Sequence, residues 1–417
     1  MENNVKTTGL LKLRRRHLLG GVAGGAAVSA LAMPHIARAV EPIRIGLLEA
    51  KQGPIAEQSQ YLQRGTFLAM EQMGNELLGR PAEIIWDDEP SAQAAGQNAL
   101  QLIQQNKVVA MLGGALSNFA LAEEAIAGQY KVPFLINNGA AEEITGTKCN
   151  PYTFRLQSPV PVQAAAMLPY LENIGKRWYF LSASYAYGQD IVNNFKSLLK
   201  GIGGTIVGDD QVPVGTSDYS AYILKIREAQ PDLVIGGLTS GDLSSFLKQW
   251  KDFGMSGKIP FTEIGVGDPD LWAVGKDNIA GIYTTMWWYK DPNNSPADKA
   301  FAAAYEKKYN APAADKAWMG WYSARIMFES INKANSTNPD AIVEALYNWS
   351  ELDGGINVHF DRWDNQLIHR LLVVGIKKHI PNQWDYFDVL QSVPSNDAQA
   401  AVAFGTQAQS ACHMTPL

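Results

Sequence analysis

Short, wholly apolar runs alternate along most of this chain with longer amphipathic segments. Residues 43–47 and 233–235 are typical of strands that are buried on both faces of a parallel sheet. Between such runs, apolar residues recur every three or four positions, which predicts helices. One such set is Phe195, Leu198, Leu199 and Ile202. The alternation predicts an α/β fold whose parallel sheets carry helices on both faces.

This strand–helix rhythm occurs twice, which predicts two α/β lobes. The first series ends near residue 141, and the second begins after a two-proline connector at 158–161 and continues to about residue 261. A strand near 282–288 then precedes three predicted helices. These helices cover residues 297–309, 318–332 and 339–349. Segments 356–360 and 367–376 predict a hairpin pair, and the Ala-, Ser- and Gln-rich residues 393–417 predict an extended tail.

Residues 1–39 have the pattern of an export signal. Lys6, Lys12 and residues 14–16 form a basic region, an apolar stretch covers 18–32, and residues 37–39 supply a small-x-small cleavage pattern. The arginine pair before the apolar stretch favours the twin-arginine route, and an arginine-rich general secretory signal is the alternative. The apolar stretch is too short for a stable membrane anchor, so we expect export to the periplasm.

Cleavage of this segment would leave a strongly acidic chain. The full sequence has 35 basic and 41 acidic residues, a net charge of −6. Residues 1–39 contain six of the basic residues and one acid, so 29 and 40 remain, a net charge of −11. This balance argues against nucleic acid or anionic lipid as a partner. The remaining length of about 380 residues favours two domains.

The sequence contains two cysteines, Cys149 and Cys412. In an oxidising compartment such a pair favours one disulfide between the C-terminal tail and a loop of the first lobe. Two free thiols are the alternative.

Several apparent catalytic or metal motifs lack the context that their chemistry needs. Ser197 of the S-x-x-K match lies within a predicted helix, and residues 237–241 carry threonine where a nucleophile elbow needs serine. Residues 265–267 lack the third glycine of a dinucleotide loop. The acids at 87–89 are typical of a solvated strand end that caps the next helix. We therefore predict no enzyme activity, no cofactor and no metal site.

Loops at the carboxyl ends of predicted strands are better candidates for a ligand site. Ser117 and Asn118 precede a predicted helix, where hydroxyl, amide and main-chain N–H groups can converge on a carboxylate. Asn138, Ala140 and Ala141 belong to the next such loop, whose glycine permits close approach of the backbone. Simple capping of the helix by Ser117 or Asn118 is the alternative.

Residues 187–237 closely resemble the middle of the branched-chain amino acid binding proteins, which are periplasmic receptors of ABC importers. The resemblance is strongest between residues 177 and 255. The resemblance covers nearly all of the chain after residue 39. It implies the type I periplasmic-binding fold, with two Rossmann-like lobes joined by three hinge crossovers. Lobe one would comprise residues 42–158 and 286–352, and lobe two residues 159–285 and 353–392.

The resemblance also implies roles for individual residues. The loops of Ser117, Asn118, Asn138, Ala140 and Ala141 would hold the ligand's carboxylate. Tyr187, with Tyr185 as a competitor, would contact the ligand as the cleft closes. Thr239, Ser240 and Glu263 lie at the ends of the next two strands of lobe two. Glu263 would receive the ligand's ammonium, although it aligns one position early, which on a strand reverses the face.

Three departures from the family pattern affect the choice of ligand. Ala141 replaces a threonine, Gln58 replaces an aromatic residue, and Trp287 and Trp288 either line the cleft or pack the hinge. The resemblance implies a monomeric receptor that captures a branched-chain or related amino acid by hinge closure and delivers it to an inner-membrane permease. Aromatic carboxylates or short amides are alternative ligands, and a ligand-sensing periplasmic subunit is an alternative role.

Overall fold

A computed structural model describes residues 41–238 and 240–417. The predicted export signal and Thr239 lie outside the described residues. The strands are β1 (Ile43–Leu48), β2 (Glu76–Leu77), β3 (Arg80–Asp87), β4 (Ala110–Gly113), β5 (Phe134–Ile136), β6 (Thr153–Arg155), β7 (Arg177–Ala183), β8 (Thr205–Val212), β9 (Leu233–Gly237), β10 (Phe261–Thr262), β11 (Ile282–Thr285), β12 (Ser350–Asp353), β13 (Ile356–Phe360), β14 (Leu367–Ile368), β15 (Leu371–Ile376) and β16 (Phe387–Val393). The α-helices are α1 (Ala56–Gln72), α2 (Ala92–Gln104), α3 (Ser117–Tyr130), α4 (Val160–Leu171), α5 (Ala186–Gly201), α6 (Ser220–Ala229), α7 (Ser240–Asp252), α8 (Asp268–Val274), α9 (Pro296–Tyr309), α10 (Asp315–Ala334), α11 (Pro339–Tyr347) and α12 (Asp397–Phe404).

Two separate sheets define two lobes. The first lobe is built on a six-stranded sheet in the order β2-β3-β1-β4-β5-β6, which is parallel except for the β2–β3 hairpin. The second lobe is built on the parallel sheet β10-β9-β7-β8. Strands such as β4 and β9 are buried along their whole length, as expected when helices cover both faces. The predicted α/β class with two Rossmann-like lobes is confirmed.

Helix α10 packs closely against α1 on the first lobe. A Cβ atom at Gly65 would overlap the carbonyl oxygen of Ala317, and one at Gly320 would overlap that of Leu62. The two glycines therefore let the helix backbones approach each other. This contact fixes the start of α10 beside the cleft between the lobes.

The adjacent residues Trp287 and Trp288 pack into two different hydrophobic cores. The Trp287 ring stacks on Trp318 at a centroid distance of 6.1 Å in the core of the first lobe. Trp288 meets Phe387 at 6.4 Å in a core of the second lobe. The described lining of the cleft cavity includes neither ring. These tryptophans therefore pack the crossover between the lobes.

The C-terminal region matches the predicted hairpin pair only in part. β13 pairs antiparallel with β14, as predicted, and also with β12, whereas β15 pairs with β11 and β16. The division falls at His369 and Arg370, where the buried Arg370 guanidinium donates to Asp291 and Asp353. Residues 397–404, which were predicted to be extended, form α12 with no buried residue.

The disulfide between Cys149 and Cys412 is present in the structure, with Cα atoms 5.7 Å apart. It joins the tail to the loop before β6, as predicted. Within the described part of the chain, no helix is both long and apolar enough to cross a membrane.

Candidate functional site

A cavity lies between the two lobes at the carboxyl ends of their strands. Its volume is about 40 Å³, which is smaller than the usual range for small-molecule sites. It is lined by Gln58, Ala115, Leu116, Ser117, Asn138, Ala140, Gln157, Tyr185, Tyr187, Leu238, Ser240, Leu243, Glu263, Gly265, Val266 and Asp270. This is where ligands bind in open α/β sheets.

Ser117 is one of the polar residues on the wall formed by the first lobe. It is the first residue of α3, and its buried Oγ accepts hydrogen bonds from the main-chain N–H groups of Ala140 (3.2 Å) and Ala141 (3.1 Å). The hydroxyl has two lone pairs and one proton, so these bonds leave the proton free to donate. Leu116 occupies the N-cap position, so capping does not explain Ser117.

The loop before Ser117 is shaped by Glu89, which is only 1 % exposed. Its carboxylate accepts the N–H groups of Gly114 (3.1 Å) and Ala115 (3.2 Å). The expectation that the acids at 87–89 cap the next helix is therefore wrong for Glu89, because the Oγ of Ser91 accepts from Ala94 and caps α2. The deviation arises because Glu89 turns inward at the end of β3.

Glu89 belongs to a cluster of three buried glutamates, Glu49, Glu89 and Glu123. Burial raises the pKa of all three carboxyls well above the ordinary value of 4.5. Repulsion between the carboxylates raises these pKa values further. The charge of Glu89 raises the pKa of Glu49, that of Glu123 raises the pKa of Glu89, and that of Glu49 raises the pKa of Glu123. This buried glutamate cluster lies behind the binding loops.

Arg155 supports the loop after β5 from behind. Its guanidinium donates to the carbonyl oxygen of Ala141 (2.5 Å) and to Oε1 of Gln366 (2.6 Å). Burial lowers the pKa of Arg155 to about 10. Ala141 is thus held by contacts on both its N–H and its C=O, and it is not part of the cavity lining.

Tyr187 and Gly265 shape the wall formed by the second lobe. The Tyr187 hydroxyl donates to the carbonyl oxygen of Ile264 at 2.7 Å. Gly265 has φ of +66°, and a Cβ atom there would lie 3.0 Å from the Tyr187 hydroxyl oxygen. Glycine therefore permits both this backbone turn and the close approach of the tyrosine. Tyr185 also lines the cavity, with its ring centroid 6.0 Å from that of Tyr187.

Glu263 presents an acidic group to the same cavity and is 1 % exposed. Its Oε2 atom has no hydrogen-bond partner among the residues that the structure describes. Burial raises the pKa of Glu263 well above 4.5. A hydrogen bond from the Leu238 N–H lowers this pKa, whereas the charges of Asp270 and Asp242 raise it further. Gly236 makes room for the carboxyl, because a Cβ atom there would overlap Oε2. Glu263 therefore lines the cavity, and its one-residue offset from the family pattern does not turn it to the other face of the strand.

Asp270 adds a second acid to this wall. It is the third residue of α8, and it accepts the N–H of Gly267 at 3.1 Å. Burial raises the pKa of Asp270 to about 6, although the nearby Lys316 charge lowers it. The cavity lining also includes larger apolar side chains. These are Leu238, Leu243 and Val266 of the second lobe and Leu116 of the first.

The structure brings together most, but not all, of the predicted site residues. Those in the cavity lining are Ser117, Asn138, Ala140, Tyr187, Ser240 and Glu263, together with Tyr185 and Gln58. Asn118 and Ala141 are outside the lining, and Thr239 is outside the described residues. Sequence reasoning missed Gln157 and Asp270, as well as the buried Lys316 behind the lining. No cluster of His, Cys, Asp and Glu suited to a metal ion occurs in the described ranges.

A cavity with polar and apolar groups between two parallel-sheet lobes is typical of a two-lobed ligand-binding protein. The periplasmic binding protein family matches residues 42–383. The chain belongs to this family, whose members bind solutes and are not enzymes.

Individual relatives agree with this assignment. The chain is 28 % identical over 301 residues to Leu/Ile/Val-binding protein homolog 6 of Brucella abortus, covering 69 % of this chain and 75 % of that protein. A periplasmic binding protein from Burkholderia mallei has a TM-score of 0.82 at 22 % identity, covering 89 % of this chain and 98 % of its own. A solute-binding protein of an ABC transporter from Rhodopseudomonas palustris, in complex with 3,4-dihydroxybenzoic acid, has a TM-score of 0.77 at 21 % identity, covering 85 % and 98 %. At these identities the two structures establish the fold alone.

Proposed function

We propose that this protein is the solute-binding receptor of an ABC importer and that it captures a small amino acid with an apolar side chain. One observation carries the proposal: one cavity has the buried Ser117 hydroxyl donor on one wall and the buried Glu263 carboxyl on the other, and apolar side chains also line it. A zwitterion with an apolar side chain matches this arrangement.

The carboxylate of the ligand would bind at the Ser117 wall. The Ser117 hydroxyl already accepts two N–H groups, so its proton is directed to another acceptor. Ser117 also opens a helix of 14 residues, whose amino end favours negative charge. Asn138 lines the same wall, and its Nδ2 group donates to Ala115 O at 2.8 Å, which stiffens the loop.

The ammonium of the ligand would bind at Glu263. A buried carboxyl oxygen that lacks a partner among the described residues is costly, and an ammonium would satisfy it with a charge-assisted hydrogen bond. The name of the Brucella relatives, which refers to leucine, isoleucine and valine, supports a branched-chain amino acid as the first choice.

An aromatic carboxylate is the second candidate ligand. The Rhodopseudomonas palustris neighbour holds 3,4-dihydroxybenzoic acid, so the fold accommodates such acids. An anionic ligand would require the protonated form of Glu263, which can donate a hydrogen bond and which burial favours by raising the pKa of this carboxyl. Two acids on the second wall, Glu263 and Asp270, favour the amino acid, since an ammonium offsets their charge and an aromatic acid adds to it. Short amides, which carry N–H donors without charge, are a further candidate ligand class and are tested together with the amino acids and the aromatic acids.

Export and delivery complete the proposal. Residues 1–39 would direct the chain to the periplasm by the twin-arginine route, and the mature protein would act as a monomer. Lobe one would comprise 42–158 and 286–352, and lobe two 159–285 and 353–392, with 393–417 as the tail. Hinge closure over the ligand would present a new surface to the inner-membrane permease. A gene deletion that abolishes uptake would support an importer, and unchanged uptake would favour the sensor subunit.

Thermal unfolding of residues 40–417 against a ligand panel tests the binding proposal. The panel contains aliphatic amino acids, hydroxybenzoates and short amides. A ligand at 100 times its Kd stabilises the protein by about 2.7 kcal/mol, which is visible as a higher Tm. We expect the largest shift from an aliphatic amino acid. A shift with hydroxybenzoates alone would select the second candidate, and no shift with any compound would reject the ligand class.

A further inference from the structure

Lys316 is a buried cation in direct contact with loops of both lobes. It is the second residue of α10 and is 1 % exposed. Its Nζ donates to Oδ1 of Asn138 at 3.0 Å and to the carbonyl oxygen of Gly265 at 3.4 Å. Asn138 follows β5 of the first lobe, and Gly265 follows β10 of the second. Both acceptors belong to residues that line the cavity.

The two ends of this side chain are held differently. Its main chain is fixed to the first lobe, because α10 packs on α1 through Gly65 and Gly320. Its tip reaches into the second lobe, where Gly267 makes room: a Cβ atom there would lie 3.0 Å from Cε of Lys316. Separation of the lobes would therefore withdraw the ammonium from Gly265 while leaving its bond to Asn138 in place.

Acidic groups surround the tip and keep the cation favourable inside the protein. Oδ2 of Asp315 lies 3.5 Å from Nζ, and the Lys316 charge also acts on Asp268 and Asp270 of the second lobe. Asp268 and Asp315 exchange main-chain to carboxylate hydrogen bonds of 3.2 and 3.1 Å. Opening would expose these groups to water and weaken their attraction to the lysine.

Among the other hydrogen bonds between the lobes, two join a loop of the first lobe to a helix of the second. The Gly241 N–H donates to Pro54 O at 3.3 Å, and the Glu142 N–H donates to Oδ2 of Asp190 at 2.6 Å. Both of these donors are uncharged main-chain groups. Lys316 differs from them because it is charged, buried and adjacent to the ligand cavity.

We infer that Lys316 is a latch that holds the lobes closed over the bound solute. It is a positioning residue, since it contacts lining residues and is not itself part of the lining. The latch rests on the proposed receptor function, because it slows solute release by stabilising the closed form. Its effect should therefore appear in the dissociation rate and leave the association rate nearly unchanged.

The test compares Lys316→Met, which keeps the aliphatic stem, with Lys333→Met as a matched control. Lys333 is exposed on the same helix, and its Nζ donates to the carbonyl oxygen of Asn348. Stopped-flow binding of the ligand found by thermal unfolding measures both rates. We expect Lys316→Met to raise the dissociation rate about tenfold, with the association rate changed less than about threefold, on the scale of one charged hydrogen bond. An unchanged dissociation rate overturns the latch.

A measurement without ligand separates this inference from the receptor proposal. The radius of gyration of the ligand-free protein, from small-angle X-ray scattering, should be larger for Lys316→Met than for the wild type and the control. If no panel compound binds, this difference alone supports the latch, and its absence rejects it.

The double variant Asp315→Asn/Lys316→Met replaces Lys316→Met if the single variant does not fold, because it removes both members of the buried pair. If neither variant folds, Lys316 is a structural cation and the latch is rejected.

Discussion

Replacement of Glu263 by glutamine should weaken ligand binding and leave the free protein as stable as before or more stable. Glutamine keeps the size of the side chain, so the cavity and the space provided by Gly236 are preserved. The change removes the negative charge from a side chain that is 1 % exposed. Binding and stability should therefore change in opposite directions.

The expected loss of affinity follows from the surroundings of the carboxyl. Oε2 has no partner within the described ranges, so an ammonium bound there displaces no internal hydrogen bond. A hydrogen bond to a charged group contributes about 1.5–3 kcal/mol. We therefore expect the Kd for the amino acid to rise about 10- to 150-fold.

The expected stability change follows from the raised pKa of Glu263. The unfolded carboxyl ionises near its ordinary pKa of 4.5, whereas burial raises the folded pKa well above that value. The folded state therefore binds the proton more tightly, and above the unfolded pKa folding must either take up a proton or bury the charge, both of which cost free energy. Glutamine removes this cost, so the Tm at pH 8 should stay equal or rise.

Isothermal titration calorimetry and thermal unfolding at pH 8 measure the two effects on the same samples. Glu306→Gln, the same change at an exposed position of α9, is the matched control and should alter neither quantity. If Glu263→Gln binds within about threefold of the wild type, an amount well below one charged hydrogen bond, Glu263 does not hold the ammonium. A lower Tm together with weaker binding would indicate damage to the fold instead.

Three other predictions test the stability and the opposite wall. Cys412→Ser opens a disulfide that spans 263 positions, so the free energy of unfolding in urea should fall by up to about 5 kcal/mol, and an unchanged midpoint would contradict this. The buried glutamate cluster should make the Tm higher at pH 5.5 than at pH 8, because raised folded pKa values favour the protonated folded state. Glu123→Gln should reduce this difference in Tm, and an unaltered difference would exclude the cluster as its cause. Ser117→Ala should weaken binding by at least about 1 kcal/mol in calorimetry, whereas the exposed control Ser217→Ala should not; equal affinities would place the carboxylate elsewhere.

The lobes could be predicted from the sequence because parallel strands that are buried on both faces leave continuous apolar runs. β1 and β9 are examples, and the helices between them carry their own periodicity. α12 could not be predicted this way, because a helix with no buried residue has no apolar stripe. The pairing of β15 with β11 could not be predicted either, because it joins strands that are distant in sequence and no local pattern encodes it.

The candidate site was predictable where a residue ends a strand or begins a helix. Ser117 and Glu263 are at such positions, and both line the cavity. Gln157 and Asp270 come from segments without a motif, and only the tertiary fold brings them to the cavity. Lys316 lies in a helix whose neighbouring residues are mostly buried, so its role depends on contacts that no local pattern encodes.

The recognition of a zwitterion is tested most directly by titrating residues 40–417 with leucine and two fragments of it. 4-Methylpentanoate lacks the ammonium, and 3-methylbutylamine lacks the carboxylate. If Ser117 and Glu263 hold the two charged ends, leucine should bind and each fragment should bind at least about 10-fold more weakly, as expected when a charged hydrogen bond is lost. If 4-methylpentanoate binds as tightly as leucine, or if leucine does not bind and an aromatic acid does, the amino acid assignment is wrong.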